Sequence, residues 1–154
     1  MITDLLRGLS ERRTRAKAAR HGDGLPTVAV EYAPRHDGDA DPGEVVWTWV
    51  PYEDDATQGK DRPVVIIGRL GHDLAAIALT TKGHGPPGDR VAVGTGDWDR
   101  EGRPSFAKID RILAVDATQV RREGAAFDRA RFEVLVAAVR ARNPSLVVRG
   151  GVAA

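Results

Sequence analysis

Ten residues near the middle of the chain, Gln58 to Ile67 (Q-G-K-D-R-P-V-V-I-I), decide its predicted fold. The four β-branched apolar residues from Val64 to Ile67 are typical of a strand that is buried on both faces. Pro63 is tolerated as the first residue of such a strand, and it favours an extended conformation at Arg62. This arginine is therefore either an ordinary surface residue or a rigidly based cation that presents its planar fork to a phosphate or carboxylate.

The composition of the chain excludes several classes of protein and of site. The 154 residues suit one domain with appendages, and the formal net charge of +1 gives no bulk attraction to nucleic acid. The absence of cysteine excludes disulfides, thiolate metal sites and a cysteine nucleophile. No apolar run reaches the ~20 residues of a membrane span, and no secretory signal is visible at the N-terminus. We therefore expect a cytoplasmic protein that does not bind membranes.

The middle of the chain is rich in predicted strands. Residues 44–50 alternate Val45, Trp47 and Trp49 on one face with Val46, Thr48 and Val50 on the other, so that the tryptophans belong to the core or to a dimer interface. Further strands are predicted at residues 63–68, 74–80, 90–93 and 105–115, and none of them alternates with a helix. This order favours a small, strongly bent barrel.

A C-terminal helix follows the strands. Asp128 is its predicted N-cap, and Phe127 and Phe132 flank this cap as a hydrophobic staple. The buried stripe continues to residue 139, and the helix ends near Asn143 and Pro144. The predicted fold is therefore mainly β, with one C-terminal helix that covers the barrel.

The two ends of the chain are predicted to be appendages. Residues 1–42 form a basic helical arm, a short strand and an acidic linker; residues 43–143 form the barrel domain; residues 144–154 form a flexible tail. The arm either lies along nucleic acid or is a solvated helix, since residues 1–22 hold six basic and two acidic residues. Its apolar stripe is too short to be stable as a free helix, so we expect it to dock on the protein. We hypothesise that it docks near the acidic loop at residues 53–55 and restrains the candidate site at Arg62; the alternative is that it docks without any effect on that site.

Four motifs together resemble the MazF/PemK family of toxin–antitoxin endoribonucleases. They are Gly43-Glu44-Val45-Val46-Trp47, Arg62-Pro63 at the start of an apolar strand, Leu79-Thr80-Thr81-Lys82, and the segment from Ser105 to Asp116. The resemblance covers residues 43 to about 141. It implies an SH3-like barrel, a homodimer, a possible cognate antitoxin, and cleavage of single-stranded RNA at short motifs without a metal or another cofactor.

The resemblance also assigns roles to individual residues. It implies catalytic roles for Arg62, Thr80, Lys108 and Asp110, and the strand period puts Lys108 and Asp110 on one face, where they pair as cation and carboxylate. Thr80 equally fits a residue that satisfies a turn, and the Lys108–Asp110 pair equally fits a surface ion pair of small value. We expect RNA to bind along Lys60, Thr81, Lys82, Trp98 and Ser105, with a base stacked on Trp98.

Three features depart from the family pattern. The loop before Arg62 lacks a histidine, Lys108 stands where an arginine is usual, and Arg111 replaces a glutamine. His72 and His84 are expected in exposed loops. The alternative function is a non-catalytic SH3-like module that binds a protein or nucleic acid, because a fold alone does not determine activity.

Overall fold

The computed structural model describes residues 16–18, 27–35, 40–144 and 147–150. These ranges contain strands β1 (Ala16–Ala18), β2 (Val28–Val30), β3 (Glu44–Pro51), β4 (Gly59–Leu70), β5 (Asp73–Thr80), β6 (Arg90–Gly94), β7 (Ser105–Lys108), β8 (Leu113–Val115), β9 (Arg121–Ala126) and β10 (Val148–Gly150), a 3-10 helix at Ala117–Gln119, and helix α1 (Arg129–Arg142). The prediction of a mainly β fold with a C-terminal helix is confirmed.

Strand β4 is the centre of the sheet. It is longer than the predicted strand, and it pairs antiparallel with β5 along one edge. Along the other edge it pairs first with β3 and then with β2. Its register with β5 shifts between Ile66 and Gly68, where a Cβ on Gly68 would lie 2.0 Å from the carbonyl oxygen of Ala29. Glycine at this position therefore allows β2 to approach β4.

The remaining strands curl the sheet into a half-barrel. Strand β5 pairs with β8 and β7, β7 pairs with β6, and β3 pairs with β9. Strand β1 pairs antiparallel with β8 and also contacts β3, so it draws the two sides of the sheet together.

The sheet separates two apolar cores. The helix-side core packs Val45, Val65, Ile77 and Leu79 against the buried residues of α1, which are Phe132, Leu135, Val136 and Val139. The second core, on the other face, contains Val46, Val50, Val64, Ile66, Leu74, Leu113 and Val115. Neighbouring residues in β3 and β4 enter different cores because side chains alternate along a strand.

Helix α1 begins and ends where the sequence indicates. The Asp128 side chain accepts a hydrogen bond of 2.7 Å from the backbone N–H of Arg131, so it caps the helix. Phe127 and Phe132 are both buried in the helix-side core. At the other end, the Asn143 side chain donates hydrogen bonds to the carbonyls of Ile109 and Val139, which ties the helix end to the turn after β7.

Three predictions of local structure are wrong. The single strand predicted at residues 105–115 is two strands, because Ile109 and Asp110 form a turn between β7 and β8. The tail predicted after residue 143 contains β10, which pairs in parallel with β2 and so satisfies backbone groups of both strands. Within the predicted helical arm, residues 16–18 form β1, because the edge of β8 offers unpaired backbone partners.

The predicted boundary at residue 42 does not isolate β2, which lies before it in the chain and belongs to the barrel sheet. The linker is fixed at both ends, since Ala33 N–H donates to the carbonyl of Pro42 and Arg35 N–H donates to the Glu44 carboxylate. The rest of the predicted arm, at residues 1–15 and 19–26, and residues 36–39 of the linker lie outside the described residues.

Candidate active site

A row of side chains from four strands crosses the middle of the sheet. Thr48 on β3 is paired with Arg62 on β4, and Thr80 on β5 is paired with Phe106 on β7. Val64 is paired with Ala78, so the same register continued by two residues places Arg62 across from Thr80. Cross-strand neighbours lie close enough for their side chains to act together. The structure thus brings together the arginine and the threonine that the sequence singles out.

Arg62 is a partly buried cation on the face of the second core. It shares this face with Val64 because the two residues are separated by one position on β4. Burial lowers the pKa of its guanidinium, nearby Tyr52 and Glu53 oppose this effect, and the positive charges of Arg90 and Arg111 add to it. The guanidinium still carries its charge at neutral pH and is only partly hydrated, so an anion beside it would be bound strongly.

A cavity of about 310 Å³, which we call the arginine groove, lies next to Arg62. Val50, Pro51, Ala78 and Leu113 supply its apolar lining, and Tyr52 adds a phenol. Its charged lining consists of Glu53, Asp54, Arg62, Lys108 and Arg111. Three cations and two carboxylates thus face one cavity of a size that suits a nucleotide.

Glu53 and Lys108 form an ion pair inside this groove. The Lys108 Nζ lies 2.8 Å from the Glu53 Oε1, and the Lys108 side chain is only 20% exposed. The hydrogen bond from Lys108 lowers the pKa of the Glu53 carboxyl, although burial opposes it. The acidic loop is therefore already neutralised in part, and Glu53 is ionised at neutral pH.

Asp110 occupies a different position from the one expected. The chain turns after β7, so Asp110 does not continue the strand face of Lys108, and Lys108 pairs with Glu53 instead. The Oδ1 of Asp110 is buried without a hydrogen-bond partner, and burial, followed by the charge of Glu53, raises the pKa of its carboxyl. Asp110 is also absent from the lining of the arginine groove. The predicted pairing of Lys108 with Asp110 is wrong, and the position of Asp110 does not support a catalytic role.

A second, smaller cavity of about 130 Å³, which we call the tryptophan groove, lies at the ends of β4 and β5. Trp47, Pro63, Leu79 and Trp98 supply its apolar surface, and the predicted RNA-binding residues Lys60, Thr81, Lys82 and Ser105 all contribute to its lining. Arg62 and Thr80 also border it, and Arg62 lines the arginine groove as well, so this side chain lies between the two grooves.

Trp98 belongs to the core of the protein. Only 2% of this residue is exposed, and its ring packs against Phe127 at a centroid distance of 5.3 Å. Its Nε1 donates a hydrogen bond of 3.0 Å to the Oγ of Ser105, which is also 2% exposed. The predicted stacking of a base on Trp98 is therefore wrong, since a ring so enclosed has no free face. Trp98 and Ser105 together form the floor of the tryptophan groove.

The exposed rim of the tryptophan groove is basic. Lys60 and Lys82 are exposed, and the charge of Arg62, followed by burial and by Lys82, lowers the pKa of Lys60. Arg90 fixes the loop after β5 by donating to the carbonyls of Lys82 and His84. The Thr80 hydroxyl accepts a hydrogen bond of 3.2 Å from the backbone N–H of Lys82, so this turn is ordered around the site. Asp61 and Asp99 also line this groove, but the cations outnumber the carboxylates in both grooves, so a polyanion would meet a surplus of positive charge in each.

Comparison with known proteins identifies the family. The profile of the PemK-like, MazF-like toxins of type II toxin–antitoxin systems matches residues 41–142, which is well over half of the chain. The chain belongs to this family. A chain of the solved MazE–MazF structure (Form-II) from Deinococcus radiodurans is similar at 20% identity, with 75% of this chain and 96% of that chain covered and a TM-score of 0.44. No curated protein matches the sequence.

Within this PemK/MazF-like toxin, the sequence missed three residues of the site. Glu53 was one of several acids in a loop, and nothing in its spacing indicates a contact with Lys108, 55 positions away. Arg111 and Arg90 were likewise two of many arginines. For Arg111 the only signal was its departure from the family pattern at that position.

Histidine and metal ligands are not part of the described site. His72 and His84 are exposed, as expected from their loops. Among the described residues, no three His, Asp or Glu side chains lie where they could hold one metal ion. In the same part of the chain, no helix is long and apolar enough to cross a membrane.

Proposed function

We propose that this PemK/MazF-like toxin is a metal-independent endoribonuclease that cuts single-stranded RNA at short motifs. The observation that carries the proposal is the register of β4 and β5, in which Arg62, a lining residue of the arginine groove, stands across from Thr80. The same groove holds the Glu53 carboxylate and the Lys108 ammonium, which can serve as the base and the acid that phosphodiester transesterification requires.

In the proposed reaction the RNA attacks itself. The 2′-oxygen forms a bond to the adjacent phosphorus while the bond from phosphorus to the 5′-oxygen breaks, which leaves a 2′,3′-cyclic phosphate and a 5′-hydroxyl. A base must accept the 2′-proton, an acid must protonate the leaving 5′-oxygen, and cations must stabilise the charge that builds on the non-bridging oxygens. No water and no second substrate is consumed in this step.

Arg62 and Thr80 hold the phosphate in this mechanism. The guanidinium of Arg62 donates two parallel hydrogen bonds to the non-bridging oxygens, and its partial burial strengthens this interaction. The hydroxyl of Thr80, which is 8% exposed and held by the Lys82 backbone, orients the phosphate next to it.

Glu53 and Lys108 move the protons. Glu53 is ionised at neutral pH and accepts the proton of the 2′-hydroxyl, while Lys108 donates a proton to the 5′-oxygen. The protonated Glu53 then returns its proton to Lys108 across their 2.8 Å hydrogen bond, which restores both groups. Glu53 takes the place of the catalytic carboxylate that the sequence assigned to Asp110.

The proton-transfer pair is tested by substitution. Glu53→Gln is expected to lower kcat by about 10²–10⁴-fold, the usual contribution of a general base. Glu53→Gln combined with Lys108→Gln should be scarcely worse than either single variant, because the two residues act as a unit. Since the pKa of Glu53 is lowered from 4.5, the base should cause no loss of rate until the pH falls below that value. If the losses of kcat in the two single variants add up in the double variant, this assignment is contradicted. It is also contradicted if the rate of the wild type falls between pH 7 and pH 5 and the rate of Glu53→Gln does not.

The decisive experiment is a direct cleavage assay. The purified protein is incubated with a long RNA in the presence of a chelator, and both ends of every product are mapped. We expect cuts at a short recurrent motif that leave 2′,3′-cyclic phosphate and 5′-hydroxyl ends. RNA binding without cleavage would favour the non-catalytic module, and 5′-phosphate ends would exclude the transesterification mechanism.

Two partners follow from the proposal. As a toxin of this family, the protein is expected to act in the cytoplasm and to be neutralised by a cognate antitoxin. We also expect a homodimer, because Trp47 and Trp49 on β3 are only partly buried within one subunit. Light scattering at micromolar concentration measures the mass, and a monomer would contradict the dimer.

A further inference from the structure

Arg111 lies in the arginine groove with no role in the mechanism above. It follows the turn at Ile109 and Asp110, and its side chain reaches the end of β3. There its Nη1 donates a hydrogen bond of 2.8 Å to the carbonyl of Pro51. This bond occupies one of the five N–H groups of the guanidinium and fixes its position.

The lining of the arginine groove holds three cations and two carboxylates. Lys108 is matched by Glu53 in a close ion pair, and the second acid of the lining, Asp54, is exposed to water. Two guanidinium groups, those of Arg62 and Arg111, remain partly buried beside the same cavity. Burial is the main cause that lowers the pKa of each guanidinium, and the charge of Arg111 lowers the pKa of Arg62 further. Glu53 opposes this effect at both arginines, and Asp110 opposes it at Arg111. Two cations that repel each other across a partly dehydrated cavity are stabilised by an anion between them.

We propose that Arg111 is a second phosphate-binding residue, which together with Arg62 clamps an RNA phosphate in the arginine groove. The inference rests on the proposed function of this groove and adds a residue to it. Lys108 presents a compact ammonium that is already engaged by Glu53, whereas Arg111 presents a planar fork held in place by Pro51. Position 111 thus supplies the bidentate geometry that position 108 lacks.

The test compares three substitutions by two measurements. Arg111→Gln removes charge and fork, Arg111→Lys retains the charge alone, and Arg69→Gln removes an exposed arginine from the far end of β4 as a matched control. The first measurement is kcat/KM for RNA cleavage. The second is the salt dependence of affinity for a single-stranded oligonucleotide with 2′-deoxy sugars, which cannot be cleaved.

Arg111→Gln is expected to lower kcat/KM by about 10²-fold, as removal of one oxyanion donor does. It should also reduce the slope of log affinity against log salt by about 0.7, the contribution of one phosphate contact on a single strand. Arg111→Lys should keep the salt slope and still lose cleavage, because the fork is absent. Arg69→Gln should match the wild type in kcat/KM and in salt slope.

A structural role for Arg111 predicts a different result. If the residue only anchors Pro51, Arg111→Gln lowers the urea midpoint of unfolding and leaves the salt slope unchanged, which overturns the proposal. Adding Lys108→Arg to Arg111→Gln should restore part of the lost affinity, since a second guanidinium fork returns to the groove. If no affinity is restored, this also counts against the clamp.

The two proposals can fail separately. Oligonucleotide binding that depends on Arg111 without any RNA cleavage would refute the endoribonuclease and support the clamp. RNA cleavage that is unchanged in Arg111→Gln would support the endoribonuclease and refute the clamp.

Discussion

The arginine groove and the tryptophan groove share Arg62 in their linings, yet they differ in how their charged and aromatic residues are buried. In the arginine groove the apolar residues form the lining and several charged groups face the cavity. In the tryptophan groove Trp98 is buried in the core, and Lys60 and Lys82 stand on an exposed rim. Partly buried charges act strongly on a ligand, whereas exposed ones are screened by water and salt. Chemistry is thus expected in the first groove and general attraction of RNA in the second.

The largest effect should come from the floor of the tryptophan groove. Trp98→Ala is expected to lower the free energy of unfolding by about 3–5 kcal/mol, the usual cost of truncating a buried large aromatic residue. Ser105→Ala, which removes only the acceptor of the Trp98 Nε1, should cost about 1–3 kcal/mol. Urea denaturation gives both values. A Trp98→Ala protein that keeps its stability and loses RNA affinity would support base stacking on Trp98 and contradict its assignment to the core.

The next effect concerns Arg62 and is one of activity. Arg62→Ala should lower kcat by about 10²–10³-fold, because one electrostatic contact to the transition state is lost. The urea midpoint should change little, since the side chain is partly exposed and its removal leaves no closed cavity. Arg69→Ala on the same strand serves as the control. Equal activity of a well-folded Arg62→Ala protein would remove the arginine groove from the mechanism.

Asp110 should affect stability in a pH-dependent way and leave cleavage intact. The pKa of its carboxyl is raised in the folded protein, so the folded state binds more protons than the unfolded state above the ordinary value of 3.8. The contribution of Asp110 to stability should therefore fall as the pH rises from 3.8 through the raised pKa of the folded state. At pH 7, Asp110→Asn should be more stable than the wild type. Urea unfolding at pH 4 and pH 7 measures the difference, with Asp54→Asn as the exposed control. A loss of cleavage in Asp110→Asn would return this residue to the active site.

The smallest effect is expected from the segment before β2. Ala18 pairs with Leu113, which lines the arginine groove, so β1 ends beside that groove and away from the other. If the arm restrains the site, deletion of residues 1–19 should raise RNA cleavage several-fold, whereas deletion of residues 1–10 spares β1 and should have less effect. The deletion stops before β2 because Val28 and Val30 are core residues. A truncated protein that cleaves no faster would limit the arm to docking.

The sequence predicted those features that depend on neighbours in the chain. Helix α1 was predictable because its cap and its buried stripe follow the helical period, and β4 because a β-branched run begins after Arg62-Pro63. The break between β7 and β8 was missed because the run from 105 to 115 reads as one apolar strand. At the break, the Asn143 side chain donates a hydrogen bond to the carbonyl of Ile109, a contact between distant residues that no local pattern reveals.

The site shows the same division. Arg62 directly precedes the proline and the β-branched run of β4, and Thr80 is the last residue of β5, so the sequence could place both. The pairing of Glu53 with Lys108 and the burial of Trp98 depend on contacts between elements far apart in sequence. Neither hydrophobic period nor motif spacing contains that information, and for this reason Asp110 and Trp98 were assigned roles that their positions do not support.

The parallel pairing of β10 with β2 joins residues about 120 positions apart, with Val148 opposite Val28. The strands that carry the site are different, because β3, β4 and β5 follow one another as antiparallel neighbours with short connections. Closing a long loop costs more conformational entropy than closing a hairpin, so the site strands should assemble first and the β2–β10 seam last. A seam of three residues should also open most readily in hydrogen exchange. The two grooves can therefore keep their shape while this seam of the sheet opens and closes.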